Sequence, residues 1–145
     1  MATQGFLPAE LWAGKLFDGQ WQAGASSQPV LEPATGTVLG SVAMADPAQI
    51  ARSAAAAATA QRDWANAPYD TRAQVLRRAA QLAEQHEADI VEWLVRESGS
   101  TRLKAGFEAR ISAKALQEAA ALPSRSIGEM LPSSPGRLSL ARRRP

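Results

Sequence analysis

The chain has 145 residues, enough for one ordinary domain, with a formal net charge of +2 and no cysteine. The lack of cysteine excludes disulfides, thiolate metal sites and a thiol nucleophile within this chain. Its N-terminus lacks the basic and apolar regions of a signal peptide, and no apolar run approaches the roughly 20 residues that span a bilayer. We therefore expect a cytoplasmic protein with no membrane partner.

The first 44 residues predict a small β-meander. Asp18-Gly19 lies between Phe17 and Trp21, a pattern that predicts a hairpin with a type I′ turn, in which both central residues need φ > 0. Two further β-prone runs, up to Val42, flank the sequence Pro33-Ala34-Thr35-Gly36. Proline fixes φ and glycine accepts φ > 0, so this sequence predicts the turn of a second hairpin.

Three long helices are predicted next. Asp46-Pro47 has the composition of a helix start, and apolar residues recur at helical spacing as far as Trp64. Asp70 is the predicted cap of a second helical region, which the polar run 85–87 divides by a bend, and a third helix covers 101–122. The largest apolar residues on these helices predict the main cluster of the core: Ile50, Trp64, Leu76, Leu82, Ile90, Trp93 and Leu94.

Much of the apolar 46% of the sequence is alanine, which buries little area per residue. Such a composition favours helices that pack closely against another surface over a thick core of the chain's own. On the helix surface, Glu92 and Arg96 have the spacing of an i,i+4 ion pair.

The C-terminal region begins with a turn-rich linker, 131–136, and continues into an alternating run, 137–142, that predicts a lone strand. With no evident pairing partner, this strand is expected to project with little packing inside the chain. Arginines are concentrated there, at positions 137, 142, 143 and 144. Because no aromatic residues are interleaved with them, we interpret them as solvated and expect no nucleic-acid partner.

Residues that could carry chemistry are few. No Gly-x-Gly occurs, so the dinucleotide fingerprint and the phosphate-binding loop are both missing from this sequence. His86 has no second ligand or nucleophile spaced to join it, and we interpret it as a residue at the helix bend. The densest carboxylates predict a solvated helix face (Glu84, Glu87, Asp89, Glu92 and Glu97). The four tryptophans could form a stacking surface (Trp12, Trp21, Trp64 and Trp93), but three of them lie at strand or helix positions, and we interpret them as core anchors. The sequence therefore predicts no catalytic, cofactor-binding or metal-ligating residue.

The order of these segments resembles the N-terminal portion of the aldehyde dehydrogenase superfamily. The resemblance is carried by Leu16-Phe17-Asp18-Gly19-Gln20-Trp21, by the run 31–40 (LEPATGTVLG), which is similar to the family's NPATG hairpin, and by the run 71–80 (TRAQVLRRAA). Three stretches look most like benzaldehyde dehydrogenases: 11–17, 99–108 and 131–142.

The resemblance implies NAD(P)-dependent oxidation of an aromatic aldehyde, such as benzaldehyde, to the acid. In that chemistry a cysteine thiolate attacks the carbonyl, hydride passes to the nicotinamide, and a glutamate activates water. The family's nucleophile, base and cofactor loops lie downstream of the segment matched here, so no catalytic residue is carried over. Some members hold a monovalent cation near Leu31 and Glu97, but Glu97-Ser98 departs from the commoner pattern, and we assign neither as a ligand.

The resemblance also implies a division of the α+β chain into three segments of the larger α/β enzyme: a bridging β-hairpin layer at 1–44, helices of the dinucleotide-binding domain at 45–123, and a linker with a strand at 124–145. Homo-oligomers through the β-segments are expected. Three hypotheses remain open: an N-terminal fragment that is inactive alone and does not bind NAD or NADP tightly, a free-standing helical interaction module that binds a homologous subunit, and a basic protein that binds nucleic acid.

Overall fold

The structure is a computed structural model that describes residues 7–143 and has an α+β architecture. No helix in this range is long and apolar enough to cross a membrane. The N-terminal part holds α1 (Ala9–Trp12), β1 (Lys15–Phe17), β2 (Trp21–Ala23), β3 (Ser26–Leu31) and β4 (Val38–Met44). The helices are α2 (Pro47–Asn66), α3 (Tyr69–Gln85), α4 (Glu87–Ser98) and α5 (Arg102–Ala121), and a 3₁₀ turn (Leu122–Ser124) precedes β5 (Gly128–Leu131) and β6 (Ser139–Arg142).

The N-terminal strands form two separate antiparallel ribbons, β1–β2 and β3–β4. The predicted meander is therefore wrong, since no ladder joins the ribbons, although Gly14 N–H donates to the Ser41 carbonyl at 2.9 Å. The first hairpin is confirmed, with Phe17 opposite Trp21. Its predicted type I′ turn is wrong, because Gly19 alone in this loop has a positive φ, of 106°. Gly36 has φ of 71°, as the second turn requires.

The helix boundaries follow local capping chemistry. A capping box starts α2, in which the Asp46 carboxylate accepts from Gln49 N–H and the Gln49 side chain accepts from Asp46 N–H. Asp70 is not the cap of α3, because Pro68 holds that position and restricts the backbone just before the first turn, in which Asp70 lies. The bend is confirmed at His86, between α3 and α4, and α4 ends at Gly99, with φ of 68°.

The buried core consists of alanines. Helix α3 packs on α5, and α4 also contacts α5. The buried hydrophobic residues are Ala43, Ala73, Ala80, Ala105, Ala109, Ala113 and Ala120. Side chains this small let two helices approach closely, which leaves little room between them for leucine or tryptophan.

The predicted cluster of large apolar residues is therefore wrong as the main core. Ile50 is 60% exposed, Trp64 43% and Leu82 39%. The other members, Leu76, Ile90, Trp93 and Leu94, are half-buried. Their helical spacing is as predicted, but the buried hydrophobic residues of the described chain are all alanines.

The C-terminal strand is not alone. β6 pairs antiparallel with β5, from Gly128 opposite Arg142 to Leu131 opposite Ser139. A side chain at Gly128 would collide with the carbonyl oxygen of Ala141, so glycine allows this close pairing. The ribbon does project: Met130 is 76% exposed and Leu140 62%. Arg144, counted in the basic tail, lies outside the described residues.

Candidate functional site

The clearest concave site is an apolar cleft between the β3–β4 hairpin and α4. Its volume is about 350 Å³. It is lined by Leu7, Trp12, Val30, Gly40, Val42, Ile90, Trp93, Leu94 and Glu97. A cleft lined by apolar side chains and one carboxylate suits an apolar ligand that makes at most one polar contact.

Two tryptophans from distant parts of the sequence meet in this cleft. The ring centroids of Trp12 and Trp93 are 5.7 Å apart and the ring planes are 87° apart, an edge-to-face arrangement. Trp12 Nε1 donates to the Leu7 carbonyl at 3.3 Å, which holds the indole in place. A Cβ at Gly40 would lie 2.7 Å from the Trp12 ring, so a larger residue there would displace the ring.

An ion pair joins the hairpin to α4 beside this cleft. Arg96 Nε lies 3.1 Å from Glu32 Oε1, and Thr35 Oγ1 donates to Glu32 Oε2 at 2.8 Å. The hydrogen bond from Thr35 and then the one from Arg96 lower the pKa of Glu32 from its ordinary 4.5. The predicted Glu92–Arg96 pair is wrong, because Arg96 reaches Glu32 and Glu92 accepts from Arg102 at 2.8 Å.

The other carboxylates of the predicted solvated face also make structural contacts. Glu84 accepts from Gln117 at 2.6 Å, and Glu87 pairs with Arg110 at 3.1 Å, so both fasten α5 to its neighbours. Asp89 Oδ2 lies 3.5 Å from His86 Nδ1. Residues 7–143 contain no group of three or more histidine, aspartate or glutamate side chains that could hold a metal ion.

The two positions that the resemblance associates with a cation lie on the elements that form the cleft. Leu31 ends β3 and is 50% exposed, and Glu97 lines the cleft. Our expectation that the chain supplies no catalytic, cofactor or metal residue stays a prediction. Of the four tryptophans, Trp12 and Trp93 contact each other, Trp21 contacts Phe17 with ring centroids 5.0 Å apart, and Trp64 is exposed.

Sequence reasoning missed the two contacts that define the site. Glu32 and Arg96 are 64 residues apart, and no local pattern links them. The fit of Trp12 against Gly40 likewise depends on how the N-terminal segment crosses the second ribbon.

The fold and site define an α+β segment that carries a structural junction but, in its sequence, no thiol and no Gly-x-Gly phosphate loop. Comparison with known proteins completes the assignment. The sequence profile of the aldehyde dehydrogenase family matches residues 21–145, and the chain belongs to this family.

Two relatives are similar over nearly the whole chain. The chain is 52% identical over 141 residues to a vanillin dehydrogenase of Amycolatopsis sp., covering 97% of this chain and 29% of the relative. It is 35% identical over 137 residues to the benzaldehyde dehydrogenase [NAD(+)] of Pseudomonas putida, covering 93% of this chain and 28% of the relative.

A solved structure agrees with these relatives. The NAD-dependent benzaldehyde dehydrogenase from Corynebacterium glutamicum superposes with a TM-score of 0.82 at 35% identity, over 92% of this chain and 29% of that one. The recognised superfamily, the α+β fold and the likeness to benzaldehyde dehydrogenases are thereby confirmed. The chain spans less than a third of the length of each of these relatives.

Proposed function

We propose that this chain forms the N-terminal portion of an NAD(P)-dependent aldehyde dehydrogenase that oxidises an aromatic aldehyde, such as benzaldehyde or vanillin, to the acid. The supporting observation is the 52% identity to a vanillin dehydrogenase over 141 residues. Identity of this level across nearly the whole chain favours a shared substrate class as well as a shared fold.

By itself the chain is proposed to be inactive. Thioester formation requires a thiolate, and this sequence has no cysteine. NAD or NADP would accept the hydride in the whole enzyme. The present residues do not fit such a cofactor, because the sequence has no Gly-x-Gly loop to receive its pyrophosphate. We therefore propose that the chain does not bind either dinucleotide tightly.

The proposed role of the segment is to hold β-structure and helices in a fixed relation. Glu32, Thr35 and Arg96 fasten the second hairpin to α4, and Trp12 contacts Trp93 of the same helix. The projecting β5–β6 ribbon presents Met130, Leu138 and Leu140 to solvent. We propose that homo-oligomers form through such β-segments, since an exposed apolar ribbon favours association with another strand or sheet.

The decisive experiment is a chimera in which this chain replaces the matched segment of the Amycolatopsis vanillin dehydrogenase. We expect the chimera to oxidise vanillin with NAD⁺, measured by NADH absorbance, and the isolated chain to produce no NADH above a control without enzyme. A folded chimera without activity would contradict the proposed function. Turnover by the isolated chain would contradict its inactivity.

The alternative of a free-standing interaction module has a different outcome. The many exposed large apolar side chains of the chain are compatible with it. In that case the isolated chain would bind an intact homologous dehydrogenase, and sedimentation of the mixture would show a complex larger than the enzyme alone.

A further inference from the structure

Three arginines line one concave site at the end of the C-terminal ribbon where β5 begins and β6 ends. The site has a volume of about 560 Å³, and its lining residues are Arg125, Ser126, Gly128, Glu129, Ala141, Arg142 and Arg143. It is separate from the apolar cleft, since the two share no lining residue. Several guanidinium groups around one concavity have the geometry and charge to receive an oxyanion.

Backbone hydrogen bonds fix the positions from which the three side chains extend. Arg125 N–H donates to the Leu122 carbonyl at 3.1 Å, at the end of the 3₁₀ turn. Arg142 is the last residue of β6 and is paired in the ladder to β5. Arg143 N–H donates to the Ile127 carbonyl at 2.8 Å, which continues this pairing by one step. The site therefore needs little backbone reordering to bind a ligand, and this favours affinity.

A serine turn and a glycine keep the concavity open. The Ser126 hydroxyl donates to the Gly128 carbonyl and accepts from Gly128 N–H at 3.4 Å. This local turn leads the chain from Arg125 into β5, so that Arg125 lines the same site as the residues at the end of β6. Gly128 is opposite Arg142 and has no side chain to occupy the space beside it.

The positive charge of the site is not neutralised by the chain. Within residues 7–143 none of the three arginines forms an ion pair. Glu129 is the one acid among the lining residues, and its position opposite Ala141 places it on the other face of the ribbon from Arg142. An anion bound between the guanidinium groups would offset their mutual repulsion.

We propose that Arg125, Arg142 and Arg143 bind the phosphate group of a small molecule. A phosphate group has three terminal oxygens and close to two negative charges, so it can accept hydrogen bonds from several guanidinium groups at once. A carboxylate has two oxygens and one charge, and it matches three arginines less well. Free phosphate and a phosphate monoester share the chemistry that this site recognises. The inference goes beyond the proposed function and does not depend on it.

The test compares the site variants R125Q and R142Q with the control R137Q. Arg137 is also exposed and forms no ion pair within the described residues, and its N–H donates to the Ser134 carbonyl at 3.0 Å. It lies at the other end of the ribbon and does not line the site. Each substitution removes one positive charge at an exposed position and keeps a polar side chain, so the net charge changes equally. Circular dichroism verifies that all three variants keep the fold.

Each chain is titrated with inorganic phosphate at constant ionic strength, and the arginine Nε–H resonances are followed by NMR. We expect those of Arg125, Arg142 and Arg143 to shift together along one saturable curve. R125Q and R142Q should each weaken the affinity by about tenfold or more, because a charge-assisted hydrogen bond is lost. R137Q should change it by less than about twofold, since salt screens a charge outside the site.

The absence of a saturable shift in these resonances would overturn the site. Equal shifts with chloride at the same ionic strength, or equal weakening by R125Q and R137Q, would also overturn it, because both indicate general attraction to a basic surface. Stronger binding of an oligothymidylate that all three variants weaken alike would overturn it in favour of nucleic acid.

A parallel titration with glycerol phosphate distinguishes the two sources of the phosphate group. Tighter binding than that of inorganic phosphate, again lost in R125Q and kept in R137Q, would support the site and assign it to a phosphate ester. Binding that is no tighter, with the same response of the variants, would support the site and assign it to the free ion.

Discussion

At the scale of single residues, Gln49 connects the start of α2 to the strands before it. Its Oε1 accepts from Asp46 N–H at 3.2 Å and from Ala25 N–H at 3.0 Å, and its Nε2 donates to the Ala23 carbonyl at 3.0 Å. One side chain thus satisfies backbone groups at a helix start and between two ribbons, groups that would otherwise need water or another partner.

Replacing Gln49 by alanine should destabilise the chain by about 1–2 kcal/mol, since it removes half of the capping box and the hydrogen bonds to Ala23 and Ala25. Urea unfolding followed by circular dichroism measures the free energy of unfolding. Gln61→Ala is the control, because Gln61 is an exposed residue of the same helix. Equal effects of the two substitutions would show that the side chain of Gln49 is not a connector.

Glu32 provides a dependence of stability on pH. Its pKa is below the ordinary 4.5 in the folded chain, first because Thr35 donates to it and then because Arg96 does. A carboxyl with a lowered folded-state pKa stabilises the fold fully above its unfolded pKa, and this contribution is lost as pH falls through the folded pKa. The hairpin should therefore be held to α4 more firmly at neutral pH than in acid.

Glu32→Gln tests this dependence, because glutamine keeps the size of the side chain but cannot ionise. We expect the variant to unfold at a lower temperature than the parent chain at pH 7, and the gap to close as pH falls below the ordinary pKa of 4.5. Thermal scans over a pH series measure the gap. A gap that stays constant through the acid range would show that the Glu32 charge does not contribute.

At the scale of elements, the features predicted correctly were those set by nearby residues. The start of α2 at Asp46-Pro47, the bend at His86 and the turn at Gly36 all follow from local capping or φ preferences. One error involved partners distant in sequence, whereas the cap at Asp70, the turn at Gly19 and the partner of β6 were missed within short stretches of chain. The 64-residue separation between Glu32 and Arg96 hid that pair, and the partner of β6 was hidden because Gly128–Leu131 was not recognised as a strand before its turn-rich connection.

The size of the helix-packing residues could not be predicted either, since periodicity identifies a face but not its partner. Where α3 meets α5, the face in use is that of the alanines. Large residues on the same helices remain exposed, including Leu103 and Phe107 of α5. Which stripe is buried therefore depends on interhelical distance, a property of the assembled bundle.

The close packing of α5 predicts a sharp response to overfilling. Ala113→Leu should destabilise the chain by about 1–3 kcal/mol, because the added methylenes have no room between α5 and its neighbours. Ala115→Leu on the same helix, at an exposed position, should change stability by less than about 0.5 kcal/mol. Urea unfolding of both variants measures the difference, and similar values would indicate a loosely packed interface.

At the scale of the whole molecule, the chain exposes more large apolar surface than its own packing explains. Within the described residues the exposed members come from both N-terminal ribbons, from α2, α3 and α5 and from the C-terminal ribbon, and the buried ones are alanines. This distribution is expected of a segment that packs against other parts of a longer protein. It agrees with the finding that the chain spans less than a third of the length of its relatives.

The C-terminal ribbon gives the last prediction, because a two-stranded hairpin alone is only marginally stable in water. Met130 and Leu140 lie opposite each other on β5 and β6 and are 76% and 62% exposed. If this pair drives association between copies, hydrogen exchange of the β6 amides should slow as protein concentration rises. Replacing both residues by threonine keeps β propensity but removes apolar area, so the variant should exchange rapidly at every concentration.

The paired replacement of Leu103 and Ile111 by threonine is the control for exposed apolar residues elsewhere. Slow exchange in a dilute monomer, unchanged by the threonines, would show that β5 and β6 are stable without another chain and that the ribbon is not the oligomer contact.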